Sequence, residues 1–301
     1  MIDELYKQIT SFFETSKLNR LHENYGGGKI FSNPKIGIAS GDDPIFQKLK
    51  KVVGPEHLTP LELWLTEGQD KLKASDLRVI SIVFPYVDKI RKESENVKKR
   101  LRITLPAEIY SVGRNYANAF KKDTCREIID FFKKRNCKAV AGMLSDSFNL
   151  IVKGGFRSNW SERHIAFAAG LGTFSLHEGL ITEVGCNIRL ASVVTNAPLK
   201  VTPRNSDNPY DNCLYYSKGT CRKCEEKCPG NAIDKDGHNK VKCYEYGRKV
   251  ARKVVARIGK ILKPHIRQID GKLRPSTFPV GCAFCQFGVP CMERNPMANY
   301  E

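Results

Sequence analysis

The sequence predicts a mixed N-terminal domain, of α/β or α+β type, over residues 1–200 and a smaller cysteine-rich domain over residues 201–301. Segments patterned as strands and as helices alternate through the first two thirds of the chain, which is typical of a layered α/β fold. This pattern stops at residues 200–212, where Pro203, Pro209 and several Asn and Asp residues replace it. Eight of the eleven cysteines follow that break.

The elements of the first domain are predicted from the spacing of apolar residues. A helix is predicted over residues 1–14, because its apolar residues lie on one face: Ile2, Leu5, Ile9, Phe12 and Phe13. Further helices are predicted at residues 117–135 and 161–170, the second with Ser161 as its N-cap. Short apolar runs predict strands at residues 35–39, 79–84, 139–143 and 189–195.

The composition is that of an ordinary globular protein, with 41% hydrophobic and 27% charged residues. No apolar run approaches the roughly 20 residues that span a bilayer, and the acidic start does not match a secretory signal peptide. We therefore expect a cytoplasmic protein without a membrane contact. Because cytosolic thiols stay reduced, eleven cysteines favour metal binding or redox chemistry over disulfides. The scattered Cys125, Cys137 and Cys186 are expected to be small core residues.

A basic, amphipathic helix is predicted at residues 245–263, before Pro264. Its apolar face comprises Val250, Ala251, Val254, Val255, Ile258, Ile261 and Leu262. Its other face carries Arg248, Lys249, Arg252, Lys253, Arg257, Lys260 and Lys263. Together with a net charge of +18, this face predicts either an anionic partner, such as nucleic acid or an acidic protein, or a solvated surface helix.

The cysteines of the second domain follow ferredoxin spacing. The ferredoxin run is Cys-x2-Cys-x2-Cys-x3-Cys-Pro, and its last three positions match Cys221, Cys224 and Cys228, including Pro229. Lys218 stands where the first cysteine is expected, and Cys213 can replace it if residues 214–220 form a loop. Cys243 follows alone, and a Cys-x2-Cys-x5-Cys run ends the pattern.

Two interpretations of this pattern compete. Two Cys-x2-Cys pairs can form a tetrahedral zinc site, but here the pairs are far apart and four further cysteines would have no function. Eight cysteines match two [4Fe-4S] clusters without remainder, so the sequence predicts a ferredoxin-like double-cluster module. The predicted metal ligands are Cys213, Cys221, Cys224, Cys228, Cys243, Cys282, Cys285 and Cys291.

The order of these cysteines resembles the iron–sulfur module of epoxyqueuosine reductases and of the related reductive dehalogenases. Upstream, the run Ala169-Gly170-Leu171-Gly172-Thr173, followed by Gly179-Leu180-Ile181-Thr182, resembles the "AGLG … LLI" core of these proteins. The run from Val193 to Leu199 resembles the strand and turn that come next. The resemblance covers about residues 100 to 295.

The resemblance implies crossed ligation of the clusters. Cys213, Cys221, Cys224 and Cys291 would hold one cluster, and Cys228, Cys243, Cys282 and Cys285 the other. It also implies that the N-terminal domain binds cobalamin, with Gly170, Leu171, Gly172 and Thr173 close to the corrin or its tail. Glycines at the end of a helix also have a purely structural explanation, in which they cap the helix and pack tightly.

The chain departs from the family in two places. Phe156 stands where epoxyqueuosine reductases carry an aspartate that is thought to donate a proton, and no helical-repeat region for transfer RNA follows Cys291. Tyr110, Arg114, Asn115 and Tyr116 are further candidates to line a pocket. His164 and His177 are interpreted mainly as packing residues, and Glu162 equally as a base beside the site or as a carboxylate at a helix N-terminus.

Three functions remain open on the sequence alone. The first is an oxidoreductase that passes electrons from an external donor, of ferredoxin or flavodoxin type, through both clusters to a bound cobalamin. The second is a ferredoxin-like electron-transfer protein without a corrinoid. The third is a reductive activator of a partner corrinoid protein, docked through the basic helix.

Overall fold

The computed structural model describes residues 1–98, 100, 102–277 and 280–298, with residues 275–277 described by their backbone only. The α-helices are α1 (Ile2–Thr15), α2 (Ile45–Val52), α3 (Pro60–Thr66), α4 (Asp88–Glu95), α5 (Glu108–Lys133), α6 (Glu162–Ala168), α7 (Leu214–Lys218), α8 (Lys223–Lys227) and α9 (Lys240–Ile258). The strands are β1 (Lys35–Ser40), β2 (Arg78–Pro85), β3 (Ala139–Val140), β4 (Leu150–Ile151), β5 (Arg157–Ser158), β6 (Gly172–Phe174), β7 (Leu180–Thr182), β8 (Ile188–Thr195), β9 (Ile233–Asp234), β10 (Gly237–His238), β11 (His265–Ile269) and β12 (Lys272–Thr277).

The main sheet has the strand order β1–β2–β8–β3, and all of its neighbours are antiparallel. Strand β2 is buried from Val79 to Pro85, which explains its continuous apolar run. The mixed composition of strands and helices is confirmed. Because the strands pair antiparallel, the arrangement is of the α+β type rather than a parallel sheet with crossover helices.

Apolar side chains cover both faces of this sheet. On one face α1 and α5 contribute a closely packed aromatic group, in which the Phe13 ring lies 5.0 Å from Phe84 and 4.8 Å from Phe120. On the other face Trp64 of α3 and Trp160 are buried beside α6. The sheet is thus a rigid platform, and residues at the ends of its strands are held in fixed positions.

A second sheet, of order β12–β11–β4–β5, joins segments that are distant in sequence. Strand β11 pairs parallel with β4, with Ile269 opposite Leu150. The Asn115 side chain adds two hydrogen bonds to the backbone of Lys263, of 2.9 and 2.8 Å. These contacts tie the chain before residue 200 to the chain after it. The division into two domains at that point remains a prediction.

The predicted elements are found, with shifted ends. The helix predicted at residues 117–135 begins earlier, at Glu108, and the strand predicted at 139–143 is only two residues long. The basic helix runs from Lys240 to Ile258, and a short 3₁₀ turn, Gly259–Ile261, continues it. Within the residues described, no helix is both long and apolar enough to cross a bilayer.

Candidate metal and cofactor site

Four of the predicted ligands line one small pocket, which is partly open to solvent. Cys213 lies at the N-cap of α7, Cys224 lies within α8, and Cys221 precedes that helix. Cys291 reaches the same pocket from a distant part of the chain. The side chains therefore converge from three separate backbone segments.

The electrostatics of this group show how closely the thiols approach each other. The pKa of the Cys224 thiol is raised to about 12, mainly by burial. The nearby Cys291, Cys213 and Cys221 thiols contribute to the same rise. Neighbouring thiolates repel one another unless a positive charge lies among them. A metal or a metal cluster supplies such a charge, because thiolates are its usual ligands.

The other four predicted ligands form a second group. Burial raises the pKa of Cys282 to about 11, with Cys243 and Cys228 adding to the shift. Burial also raises the pKa of Cys285, followed by the effects of Cys282, Cys243, Cys224 and Cys228. Cys224, one of these residues, belongs to the first group, so the two groups are neighbours.

Helix α8 links the groups, since it holds Cys224 of the first and ends at Cys228 of the second. The Cys228 sulfur accepts a hydrogen bond of 3.3 Å from the Ala232 backbone N–H. Such N–H donors stabilise a thiolate or a cluster sulfur. All eight cysteines are free thiols, and their two groups of four fit the donor set of two [4Fe-4S] clusters. Their occupation by iron remains a prediction.

Two residues beside Cys291 were not predicted as site residues. The Cys186 sulfur lies 3.7 Å from the Cys291 sulfur, and the ligand atoms of His177, Cys186 and Cys291 all lie within 4.8 Å of one another. Cys186 is buried, as expected, but its neighbour is a candidate ligand. Its hydrogen bond to Cys291, together with the nearby His177, lowers the pKa of Cys291 to about 5 against the effect of burial.

The orientation of His177 is fixed by the backbone. Its Nδ1 accepts a hydrogen bond of 3.2 Å from the Gly179 N–H, so the proton of the neutral ring is on Nε2. That Nε2 is buried without a hydrogen-bond partner in the described structure. A buried N–H donor without an acceptor is rare, so an acceptor at this position is expected. No sequence signal links residue 177 to residue 291.

The turn at Gly170–Thr173, predicted to contact a corrin, has a structural explanation. Helix α6 ends in a Schellman motif, in which the Gly170 and Leu171 N–H groups donate to the Phe167 and Ala166 carbonyls at 3.0 Å. Gly170 has a φ of +73°, and a Cβ there would lie 2.6 Å from the Pro203 carbonyl oxygen. The Thr173 hydroxyl accepts a hydrogen bond of 2.8 Å from the Asn212 N–H. These contacts explain the turn without a ligand, and corrin contact remains a prediction.

The other pocket candidates have different surroundings. Asn115 and Tyr116 bond to the backbone of Lys263 and Ile261, which gives them a structural function. Arg114 faces the loop before Cys282, since a Cβ on Gly281 would lie 2.6 Å from the Arg114 Nε, and the Tyr110 ring lies 5.0 Å from Phe287. His164 is partly buried against Phe174, and its desolvation lowers its pKa to about 3. Phe156 packs on the Tyr244 ring, at 4.8 Å.

The comparisons with known proteins return the two groups that the motifs resemble. No family model matches the chain. The tetrachloroethene reductive dehalogenase of Sulfurospirillum multivorans is 43% identical over 72 residues, which are 23% of this chain and 13% of that protein.

Solved structures of epoxyqueuosine reductases are similar to the chain. The Bacillus subtilis enzyme, in a structure with its catalytic loop swung out of the active site, has a TM-score of 0.48 and 17% identity, over 83% of this chain and 57% of that one. A complex with a modified tRNA stem loop has a TM-score of 0.47 and 16% identity, over 83% and 59%. A selenomethionine-labelled form has a TM-score of 0.47 and 16% identity, over 98% and 69%. The chain thus spans less than two thirds of the length of the first two structures.

Proposed function

We propose that the protein is an iron–sulfur oxidoreductase that passes low-potential electrons through two [4Fe-4S] clusters. The observation that carries the proposal is the convergence of eight free thiols into two neighbouring groups of four. A single four-thiolate zinc site would leave one of these groups without a function. When bound, the clusters supply one-electron transfer at low potential.

The ligand assignment of the proposal follows these groups. Cys213, Cys221, Cys224 and Cys291 hold one cluster, and Cys228, Cys243, Cys282 and Cys285 hold the other within a ferredoxin-like module. The surrounding backbone donates hydrogen bonds to sulfur, as the Ala232 N–H does at Cys228. The adjacency of Cys285 to Cys224 supports a short distance between the two clusters, which electron transfer requires.

The acceptor in the proposal is a cobalamin bound by the α/β region, as the resemblance implies. Gly170, Leu171, Gly172 and Thr173 would approach it, and the hydrogen bonds of Thr173 would hold the turn in place. A second candidate is an electron-transfer protein without a corrinoid. It is favoured by the packing of Gly170 against Pro203, because this contact explains the turn without a ligand. The cofactor would supply a strongly reducing metal centre.

The partner in the proposal is an external electron donor of ferredoxin or flavodoxin type, in the cytoplasm. Along α9, the exposed Arg248, Lys249, Arg252 and Lys253 form no ion pair with any residue that the structure describes. Such a face suits an acidic protein. The same face supports the third candidate, a reductive activator that docks on a partner corrinoid protein.

Anaerobic purification tests these candidates. The proposal requires about eight irons per chain, four for each cluster. Uptake of hydroxocobalamin, seen as a changed absorbance spectrum, supports cobalamin as the acceptor, and a lack of uptake supports the electron-transfer protein. Reduction of cobalt only after a partner corrinoid protein is added supports the activator. A colourless protein that carries zinc instead of iron would contradict the proposal as a whole.

A further inference from the structure

A cluster of cationic side chains, one of them buried and three partly buried, lies beside the main sheet, and neither the proposed clusters nor the proposed acceptor uses it. This basic cluster consists of Arg114, Lys121, Arg189 and Arg267. Arg114 and Lys121 are seven residues apart on α5, so they lie on the same face of the helix. Arg189 lies on β8 opposite Phe84, and Arg267 lies on β11.

Within the described chain the basic cluster has an acidic neighbour, Glu162, but no ion pair. None of its members forms an ion pair there, and the Nε atoms of Arg114 and Arg189 are buried without a hydrogen-bond partner. The Lys121 ammonium donates one hydrogen bond of 2.9 Å, to the Leu190 carbonyl. The charge of Glu162 raises the pKa of Lys121, but the two side chains do not form an ion pair.

The members of the basic cluster repel one another. Burial, followed by the Arg114 and Arg189 charges, lowers the pKa of Arg267 to about 10. Burial, followed by the Arg189 charge, lowers the pKa of Lys121 to about 7. Buried charges of one sign are strongly unfavourable unless an opposite charge joins them.

The proposed iron–sulfur clusters do not account for this excess of positive charge. Arg114 packs against Gly281, next to Cys282, so it could balance the charge of the second thiol group. Arg189 and Arg267 have no cysteine among the charged groups that shift their pKa; their neighbours are arginine and tyrosine side chains. At least these two cations need a different anion.

Two tyrosines complete the surroundings. The Tyr86 and Tyr110 rings lie 5.7 Å apart, and both phenol groups interact with Arg114 and Arg189. The Tyr86 hydroxyl is buried without a partner, and burial raises its pKa, so it remains a hydrogen-bond donor. Guanidinium groups and phenols are the donors that proteins use for phosphate and carboxylate oxygens.

We propose that the basic cluster binds an oxyanion, the phosphate or carboxylate group of an anionic ligand, beside the loop that carries Cys282. Arg189 and Arg267 would contact the oxygens, with Tyr86 as a further donor. The role of that ligand as the molecule reduced rests on the proposed function. The binding of the oxyanion does not, because no member of the basic cluster is a metal ligand.

Inorganic phosphate is the first probe. The thermal midpoint of the anaerobic protein is measured while phosphate replaces chloride at constant ionic strength. We expect a saturable rise in wild type, and an affinity at least tenfold weaker in Arg189→Gln. In chloride alone, Arg189→Gln should have an unchanged or higher midpoint, because the substitution removes a repelling charge. A merely structural arginine would lower that midpoint.

The matched control is Arg248→Gln, which removes one exposed cation from α9 and should keep the phosphate response. If Arg189→Gln does not fold, Arg267→Gln provides the same test from β11. The proposal is overturned if phosphate causes no saturable rise, or if the control and the Arg189 variant lose the response equally.

Two corrinoids distinguish the sources of the oxyanion. Hydroxocobalamin carries a phosphate in its nucleotide tail, and cobinamide lacks that tail. Displacement of phosphate by hydroxocobalamin but not by cobinamide identifies the cofactor tail as the ligand. If neither corrinoid displaces phosphate, the oxyanion belongs to a separate anionic substrate. Either outcome supports the oxyanion site. Iron is counted in the same samples. A phosphate response in a protein without iron would support the oxyanion site and contradict the proposed function. Iron at about eight atoms per chain without a phosphate response would support the proposed function and contradict the oxyanion site.

Discussion

The sulfur atoms of Cys186 and Cys291 lie 3.7 Å apart, although 105 positions separate the two residues in the chain. Their backbones are joined as well, since the Cys186 N–H donates to the Cys291 carbonyl at 2.8 Å and the Asn187 N–H donates to Met292 at 3.0 Å. Cys291 is therefore held against the segment that enters β8, and its position is set by the main sheet.

His177 should change the reduction potential of the cluster that Cys291 is proposed to hold. An N–H donor beside a cluster sulfur stabilises the more negative, reduced state, so His177→Phe should lower the midpoint potential of that cluster. The expected fall is about 40 to 80 mV, since 59 mV corresponds to about 1.4 kcal/mol for one electron. EPR-monitored redox titration measures it. His177→Gln, which offers an amide donor, should recover part of the fall, and an unchanged potential in both variants would exclude this role.

Loss of one ligand should remove one cluster preferentially. Cys228→Ala should leave about four irons per chain, because the first group of thiols remains complete. Iron analysis and the visible spectrum measure this. Cys137→Ala is the matched control, because this partly buried cysteine belongs to neither group, and it should retain about eight irons. Equal iron content in the two variants would contradict the assignment of Cys228.

The glycine at the end of α6 should be intolerant of a side chain. Gly170→Ala combines a positive φ with a close approach to the Pro203 carbonyl, so it should lower the free energy of unfolding by about 2 to 4 kcal/mol. Gly27→Ala is the control, since Gly27 also has a positive φ but no atom near its Cβ position. It should lower that free energy by only about 1 kcal/mol. Chemical denaturation of both variants measures the difference, and equal values would show that the approach to Pro203 is unimportant.

Lys121 should make stability depend on pH. Burial and the Arg189 charge lower the pKa of Lys121 from 10.5 to about 7 in the folded protein. Between these values the unfolded chain binds a proton that the folded chain has released, so the free energy of unfolding should rise from about pH 7 to pH 9. Denaturation of wild type and of Lys121→Met in chloride buffer across that range measures the effect. The variant should show a smaller rise, and identical slopes would mean that Lys121 is charged throughout.

Much of the fold could be predicted from the sequence because its signals are local. The apolar run of β2 and the spacing of Leu5, Ile9 and Phe13 each reflect burial on the element that carries them. The helix end at Gly170 was equally visible, since a Schellman motif requires a residue that tolerates a positive φ. Antiparallel pairing of the main sheet was not predictable, because it depends on which strands meet.

Part of the candidate site could be proposed from the sequence for the same reason. Closely spaced cysteines predict thiolate ligands, so the eight cysteines could be named, and their function as ligands stays a prediction. The approach of His177 and Cys186 to Cys291 and the gathering of Arg189 and Arg267 depend on tertiary contacts. Single histidines and arginines in a sequence carry no signal of such contacts.

The placement of Cys282, Cys285 and Cys291 also sets an order of events in time. Each group of thiols includes at least one of these three cysteines. All three cysteines are synthesised well after Cys213, Cys221 and Cys224. During translation the earlier thiols emerge from the ribosome before either set of four can close. If they hold iron–sulfur clusters, as we propose, they must stay reduced through that interval, and iron delivery can finish only after the segment around Cys291 has docked.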